Sequence, residues 1–222
     1  MPTSISIDFA PSDEPLSGLV TKFGGLPSWL QTPVAPISRR TGDLMTFVAQ
    51  IVVPSDLRPD ERVYVAYVFM TGAGFDERAM ETWNPEDGET AVILQSSTGS
   101  SPVDSTYPEL LKRWEETERG RVEVPCEYGV IESLAHEAEY LTFEQLAQLP
   151  DDEQTRRSES WRGNKIGGAP YWLQNEEFPF PDSRLLVQLE DGTYPFSLNL
   201  GTGVGYVFVD SVCEKGKLLW QC

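Results

Sequence analysis

The sequence predicts a mainly β (α+β) protein in which two similar β-rich repeats pack as one globule, with a mixed insertion between them and one or two short helices. Three observations predict it. The decapeptide Lys22-Phe23-Gly24-Gly25-Leu26-Pro27-Ser28-Trp29-Leu30-Gln31 returns as Lys165-Ile166-Gly167-Gly168-Ala169-Pro170-Tyr171-Trp172-Leu173-Gln174, identical at seven of ten positions. Each copy is followed by two apolar runs, 44–53 and 62–71 after the first, 184–190 and 203–210 after the second. Finally, 17 Pro and 18 Gly in 222 residues punctuate the chain into short strands and turns. Gln50 aligns with Gln188, and Tyr67-Val68-Phe69 with Tyr206-Val207-Phe208, so each copy reads as motif, strand, turn, strand. The expected organisation is a single domain over 1–222, with internal repeats at about 20–71 and 163–222 and an insertion at about 72–162.

The elements follow in order. Ile5, Ile7 and Phe9 alternate with polar residues in an acidic lead, which predicts a short edge strand. The decapeptide itself predicts a rigid bend. Gly24-Gly25 and Gly167-Gly168 permit positive φ or close backbone approach, while Pro27 and Pro170 fix φ and stop a helix. Trp29 and Trp172 then offer large apolar surfaces, each contributing about 2–3 kcal/mol if buried. Lys22 and Lys165 can bury their stems with the ammonium at a rim, or pair with a carboxylate. Two uses of the motif stay open: a structural bend carrying a core tryptophan, or a recognition surface formed by the Lys, Gly, Pro and Trp of each copy.

In the insertion, 90–95 (TAVILQ) reads as a strand after an Asp87-Gly88 turn. Thr106-Tyr107-Pro108-Glu109 matches a capping box and predicts a helix through Glu118, with Leu110, Leu111 and Trp114 on one side. A strand over 122–126 follows. Thr142-Phe143-Glu144-Gln145 caps a short helix that Pro150 ends, and 151–163 reads as a polar connector.

Composition narrows the function classes. With 35 acidic against 17 basic residues, net charge −18, the chain repels phosphate backbones and anionic lipid surfaces, so neither nucleic acid nor membrane is an expected partner. The same charge suits either a plain soluble surface or docking to a basic protein. Cys126, Cys213 and Cys222 form no CxxC pair, so neither a zinc site nor a disulfide is expected, and the start of the chain has no secretory pattern; the expected compartment is the cytoplasm. His136 is the single histidine, in a charged segment lacking a nucleophile elbow, and reads as a surface residue. Gly201-Thr202-Gly203-Val204-Gly205 lacks the spacing and following helix of a dinucleotide fingerprint and reads as a turn into a strand. No catalytic residues and no cofactor are predicted.

The paired motifs, the LMTFVAQI run, LLVQLE, GVGYVFV and the terminal GKLLWQC together resemble the bacterial YwqG-like family of uncharacterised proteins, over roughly half the chain. That family is in turn distantly similar to the eukaryotic programmed-cell-death-two proteins, which share the Lys-x-Gly-Gly-x-Pro-x-Trp opening. The resemblance implies an interaction role, chaperone-like (escort of a ribosomal protein) or immunity-like (beside a secreted toxin). The eukaryotic relatives carry zinc-binding cysteines between motif and strand; residues 32–44 here hold none, so zinc is not implied. The expected function is a non-enzymatic protein-interaction module with a basic protein partner, the alternatives being an enzyme of unrecognised class or a structural subunit.

Overall fold

Strands dominate, and ten of them close on themselves. The computed structural model describes residues 3–74, 82–99 and 101–222. Strands are β1 (Ile5–Pro11), β2 (Lys22–Gly24), β3 (Ser28–Trp29), β4 (Thr46–Val52), β5 (Val63–Met70), β6 (Thr90–Ser97), β7 (Val103–Asp104), β8 (Lys112–Thr117), β9 (Gly120–Pro125) and β10 (Glu127–Leu134). Helices α1 (Phe143–Leu146) and α2 (Asp151–Ser160) follow, then β11 (Lys165–Ile166), β12 (Arg184–Glu190), β13 (Val204–Val209) and β14 (Gly216–Gln221). Around the antiparallel barrel the order is β1-β10-β2-β4-β5-β6-β14-β13-β12-β11, returning to β1. β3 pairs β7 and β8 pairs β9 outside it.

The two copies of the motif occupy corresponding places in this ring. β2-β4-β5-β6 and β11-β12-β13-β14 run in the same relative order, and β10 and β1 flank them at one seam. Both second strands carry a register shift at the aligned position, Phe47/Ala49 in β4 and Leu185/Val187 in β12. Such a bulge adds a residue and bends the strand, as a closing sheet requires. β6 also stands to β5 as β14 stands to β13, so the corresponding segment extends past residue 71 to include β6.

The barrel interior is filled by Phe23, Ile51, Val68, Val187, Val207 and Leu218 among others, leaving a cavity of only about 20 Å³. Outside, Trp29 packs on Phe47, Tyr67 and Phe69, and Trp172 on Leu185, Tyr206 and Phe208. β5 and β13 are therefore covered on both faces, which is why their sequences are unbroken apolar runs instead of alternating ones.

Three expectations need correction. β1 is not an edge strand: β10 lies along it on one side and β11 joins it on the other. The helix expected from Thr106 to Glu118 is absent; that segment leads into the β8–β9 hairpin, which turns at Glu118-Arg119 and re-enters β9 at Gly120 with φ 108°. Its backbone is already claimed by the sheet, since Phe47 N–H, freed at the bulge, donates to Glu109 O (2.8 Å) and Cys126 N–H donates to Leu111 O (3.0 Å). Tyr107 is drawn into the outer core, where its hydroxyl donates to Met45 O (2.7 Å). Tertiary pairing overrides the local helix signal. Conversely, the expected connector 151–163 contains α2, a helix with no buried residue. Asp151, Asp152 and Glu153 in its first turn favour the dipole, and Glu153 bonds Arg157 one turn on. The capping box at Thr142 and Gln145 forms as expected.

The β6–β14 seam has Gly216 opposite Val92 as its one registered pair. A Cβ at Gly216 would collide with the Val92 side chain. Gly216→Ala is expected to cost about 1–3 kcal/mol in urea unfolding, with Val92→Ala in the same chain recovering part of the loss. Equal stability of the Gly216→Ala protein and the wild type would show that the seam is not close-packed there.

Candidate functional site

The two motif copies make matching sets of bonds. In the first, Ser28 N–H donates to Gln50 Oε1 (2.8 Å), whose Nε2 donates to Gly18 O and Val20 O (both 2.9 Å). In the second, Tyr171 N–H donates to Gln188 Oε1 (2.8 Å), whose Nε2 donates to Trp161 O (2.9 Å) and Gly163 O (3.0 Å). Tyr67 Oη donates to Ser28 O (2.7 Å), and Tyr206 Oη to Tyr171 O (2.5 Å). Burial pushes the Tyr67 hydroxyl up to about 12, and raises Tyr206 likewise, so both phenols stay protonated donors. The closing glutamines correspond as well: Gln95 Oε1 accepts from Gln31 N–H (2.8 Å), and Gln221 Oε1 from Gln174 N–H (3.1 Å). That last pair was readable in TAVILQ and GKLLWQ once both were aligned on their glutamine.

Both lysines are buried, Lys22 at 1% exposure and Lys165 at 2%. Lys22 Nζ donates to Glu127 Oε1 (2.7 Å) and to Leu16 O. Lys165 Nζ donates to Glu137 Oε1 (2.5 Å) and Ala169 O (2.5 Å). Burial holds the Lys165 ammonium below its usual pKa, against the opposing pull of the Glu137 carboxylate. The second glycine of each pair is explained by the same carboxylate, the first by a neighbouring carbonyl. Gly24, Gly25, Gly167 and Gly168 all have φ between 64° and 77°. A Cβ at Gly25 would strike the Glu127 carboxyl, one at Gly168 the Glu137 carboxyl, and those at Gly24 and Gly167 the carbonyl oxygens of Cys126 and Thr3. Neither Glu127 nor Glu137 is singled out by the sequence. Only 28 residues separate Lys165 from Glu137 but 105 separate Lys22 from Glu127, and 35 acids compete for the role.

The tryptophans are buried too, Trp29 at 1% and Trp172 at 6%. Trp29 Nε1–H donates to Ser105 Oγ (2.9 Å) and its ring stacks on Tyr67 at 4.3 Å; Trp172 Nε1–H donates to Tyr140 Oη (3.2 Å) with Tyr206 at 4.7 Å. At the second bend Gly168 is partly exposed, while Gly167, Ala169 and Pro170 are buried. Gly168, Ala169 and Pro170 line a concavity of about 500 Å³ together with Asp56, Tyr140, Phe178 and Arg184. On the other side of Gly168 a second concavity of about 490 Å³ is lined by Thr3, Ser4, Leu134, His136, Glu137 and Glu139. Phe178 is 42% exposed, and Arg184 is turned toward Leu57, donating to its carbonyl (3.2 Å). Asp56 accepts from Thr3 N–H (2.7 Å) at the shared rim. His136 lies exposed at this rim.

The two bends do not face one another. Gly24 sits opposite Glu127 at the start of β10, whereas Ile166 meets Ile5, which pairs Leu134 at its end, an eight-residue strand spanning about 24 Å. Lys22, Gly24, Gly25, Pro27 and Trp29 are thus gathered at one bend and Lys165, Gly167, Gly168, Pro170 and Trp172 at the other, and of these only Gly25 and Gly168 are partly exposed. Several of the carboxylates that make the sequence so acidic are matched within the chain: Glu115 with Arg113, Glu116 with Arg121, Glu153 with Arg156 and Arg157. The three cysteines are free thiols, with burial pushing Cys126 up to about 12 and Cys213 to about 11. Among the described residues no three or more His, Cys, Asp or Glu gather as a metal site, and no helix is long and apolar enough to cross a membrane. No protein-family model matches the chain, and no curated protein matches it.

Each buried glutamine satisfies one backbone N–H and two carbonyls, so Gln50→Ala and Gln188→Ala should each lose about 1–3 kcal/mol per group left unpaired. Trp29→Ala and Trp172→Ala should lose about 3–5 kcal/mol. Chemical denaturation checks both, and a melting temperature unchanged by either tryptophan substitution would contradict the structural reading of the motif.

Proposed function

We propose that the protein is a non-enzymatic protein-interaction module that takes a basic segment of a partner protein at the second bend. The observation that carries this reading is the pair of concavities flanking Gly168, which bring a partly exposed aromatic ring, Phe178, and the Tyr140 ring beside the carboxylates of Asp56 and Glu139. An arginine or lysine side chain gains there from both a ring face and a carboxylate, and the net charge of −18 steers it in. The first copy then serves as scaffold. Two halves with matching bond networks are read as the product of an internal duplication, in keeping with the resemblance to the YwqG-like family, and the acidic surface and free thiols suit the cytoplasm.

Net charge alone would hold any basic peptide weakly, so the test separates charge from shape. A short Arg/Lys-rich peptide should bind more tightly than an acidic peptide of equal length. Phe178→Ala, which changes no charge, should weaken it about tenfold, or about 1.4 kcal/mol, and Asp56→Lys should slow association more than it speeds dissociation. Binding that falls with salt yet ignores Phe178→Ala would reduce the interaction to a diffuse field and sink the assignment of the site.

A further inference from the structure

A separate shelf lies where the β8–β9 hairpin meets the loop 191–202. The concavity measures about 330 Å³ and is lined by Trp114, Asp191, Phe196, Asn199 and Thr202, with Ser197 and Leu198 between them. We propose that it binds a neutral, polyhydroxylated ligand of the mono- or disaccharide class.

The shelf is built and rigid. Ser197 N–H donates to Lys112 O (2.8 Å), tying the loop to the hairpin, and Asp191 N–H donates to Gly203 O (2.9 Å), closing the loop at its base. Phe196 forms the wall and is locked behind by Tyr194 (4.8 Å), Phe9 (5.1 Å) and Phe23 (5.4 Å). Trp114 is 47% exposed at the mouth, on a hairpin whose backbone is fixed on both sides of the ring by pairing with β9. Thr202 adopts φ 64°, directly after Gly201 at 59°. A β-branched residue in the left-handed region costs about 1–3 kcal/mol, and such outliers gather at binding positions. That conformation places a threonine, where glycine would be free of strain, on the lining of the shelf.

The ligand class follows from the chemistry of the lining. A sugar presents hydroxyls that both donate and accept, and a C–H face that is apolar. Asn199 and Thr202 offer donors and acceptors together, while Asp191 offers an acceptor whose other oxygen already holds Tyr194 Oη–H (2.9 Å). The indole supplies the apolar face. Anionic ligands are disfavoured by the overall charge of −18, and with one Asp191 oxygen already engaged by Tyr194 the lining leaves a single carboxylate oxygen, an acceptor that a sugar hydroxyl satisfies. The volume falls at the low end of small-ligand sites, which limits the occupant to one or two rings.

The test uses maltose, cellobiose, lactose and N,N′-diacetylchitobiose against the intact chain, read by calorimetry and by tryptophan fluorescence. Saturable binding of at least one is expected, weakened about tenfold by Trp114→Ala, or about 1.4 kcal/mol, retained by Trp114→Tyr, weakened by Asn199→Ala, and untouched by Phe178→Ala at the distant second bend. Trp114 is half exposed, and Asn199→Ala gives a second arm should the hairpin fail to tolerate alanine. Three results overturn the proposal: no saturable binding by any of the four sugars, binding indifferent to both Trp114→Ala and Asn199→Ala, or tighter binding of glucose 6-phosphate or a lysine-rich peptide at this shelf.

Discussion

Both halves of the barrel hang on one strand. β10 supplies Glu127 at its first residue, and Glu137 lies three residues past its last; each carboxylate reaches the buried lysine of a different motif copy. An ammonium stripped of water is costly unless charge and hydrogen bonds are returned to it. Here each lysine receives a carboxylate and a backbone carbonyl. The second glycine of each pair lets the bend close over that carboxylate, and the chain then turns far enough to lay its tryptophan on the outer face of the sheet. A buried ion pair of this kind is a weak source of net stability, because an apolar replacement of the same shape often does as well. Its physical role in this fold is to dictate where the bend goes.

That arrangement explains which parts of the fold were legible. The strands of each repeat are covered on both faces, so their apolar runs announced them, and the bend was announced by Gly-Gly-x-Pro. What failed was local inference where a long-range partner decides. Leu110, Leu111 and Trp114 have helical spacing, but Phe47 N–H and Cys126 N–H capture the backbone around them from 62 and 15 residues away. α2 was missed for the opposite reason. Without an apolar stripe it has no periodic signature, and its evidence lay in the acidic first turn and the Glu153–Arg157 spacing. The partner carboxylates of the lysines were illegible because thirty-five acids are chemically equal until the fold selects two.

The division between scaffold and surface follows from the same geometry. Conserving a lysine, two glycines and a tryptophan in both copies maintains two equivalent bends, so the identity of the motif speaks first about folding. Around the second bend the neighbouring segments diverge from those around the first: Phe178, Tyr140, Asp56 and Arg184 surround an open concavity, whereas Ser28 and Trp29 of the first copy are covered by pairing with β7. The two matching frames thus have unlike surroundings, and the hairpin shelf shares no lining residue with the concavities beside the second bend.

The central claim is that each lysine and its glutamate act as one unit beneath the bend, and a double-mutant cycle on Lys165 and Glu137 tests it most directly. Unfolding free energies of Lys165→Met, Glu137→Gln and the double variant would be compared with the wild type. Each single change should cost about 3–5 kcal/mol by stranding its partner in the interior, and the double variant should lose no more than either single, giving a large coupling. Losses that simply add, or a Lys165→Met protein as stable as the wild type, would contradict the account.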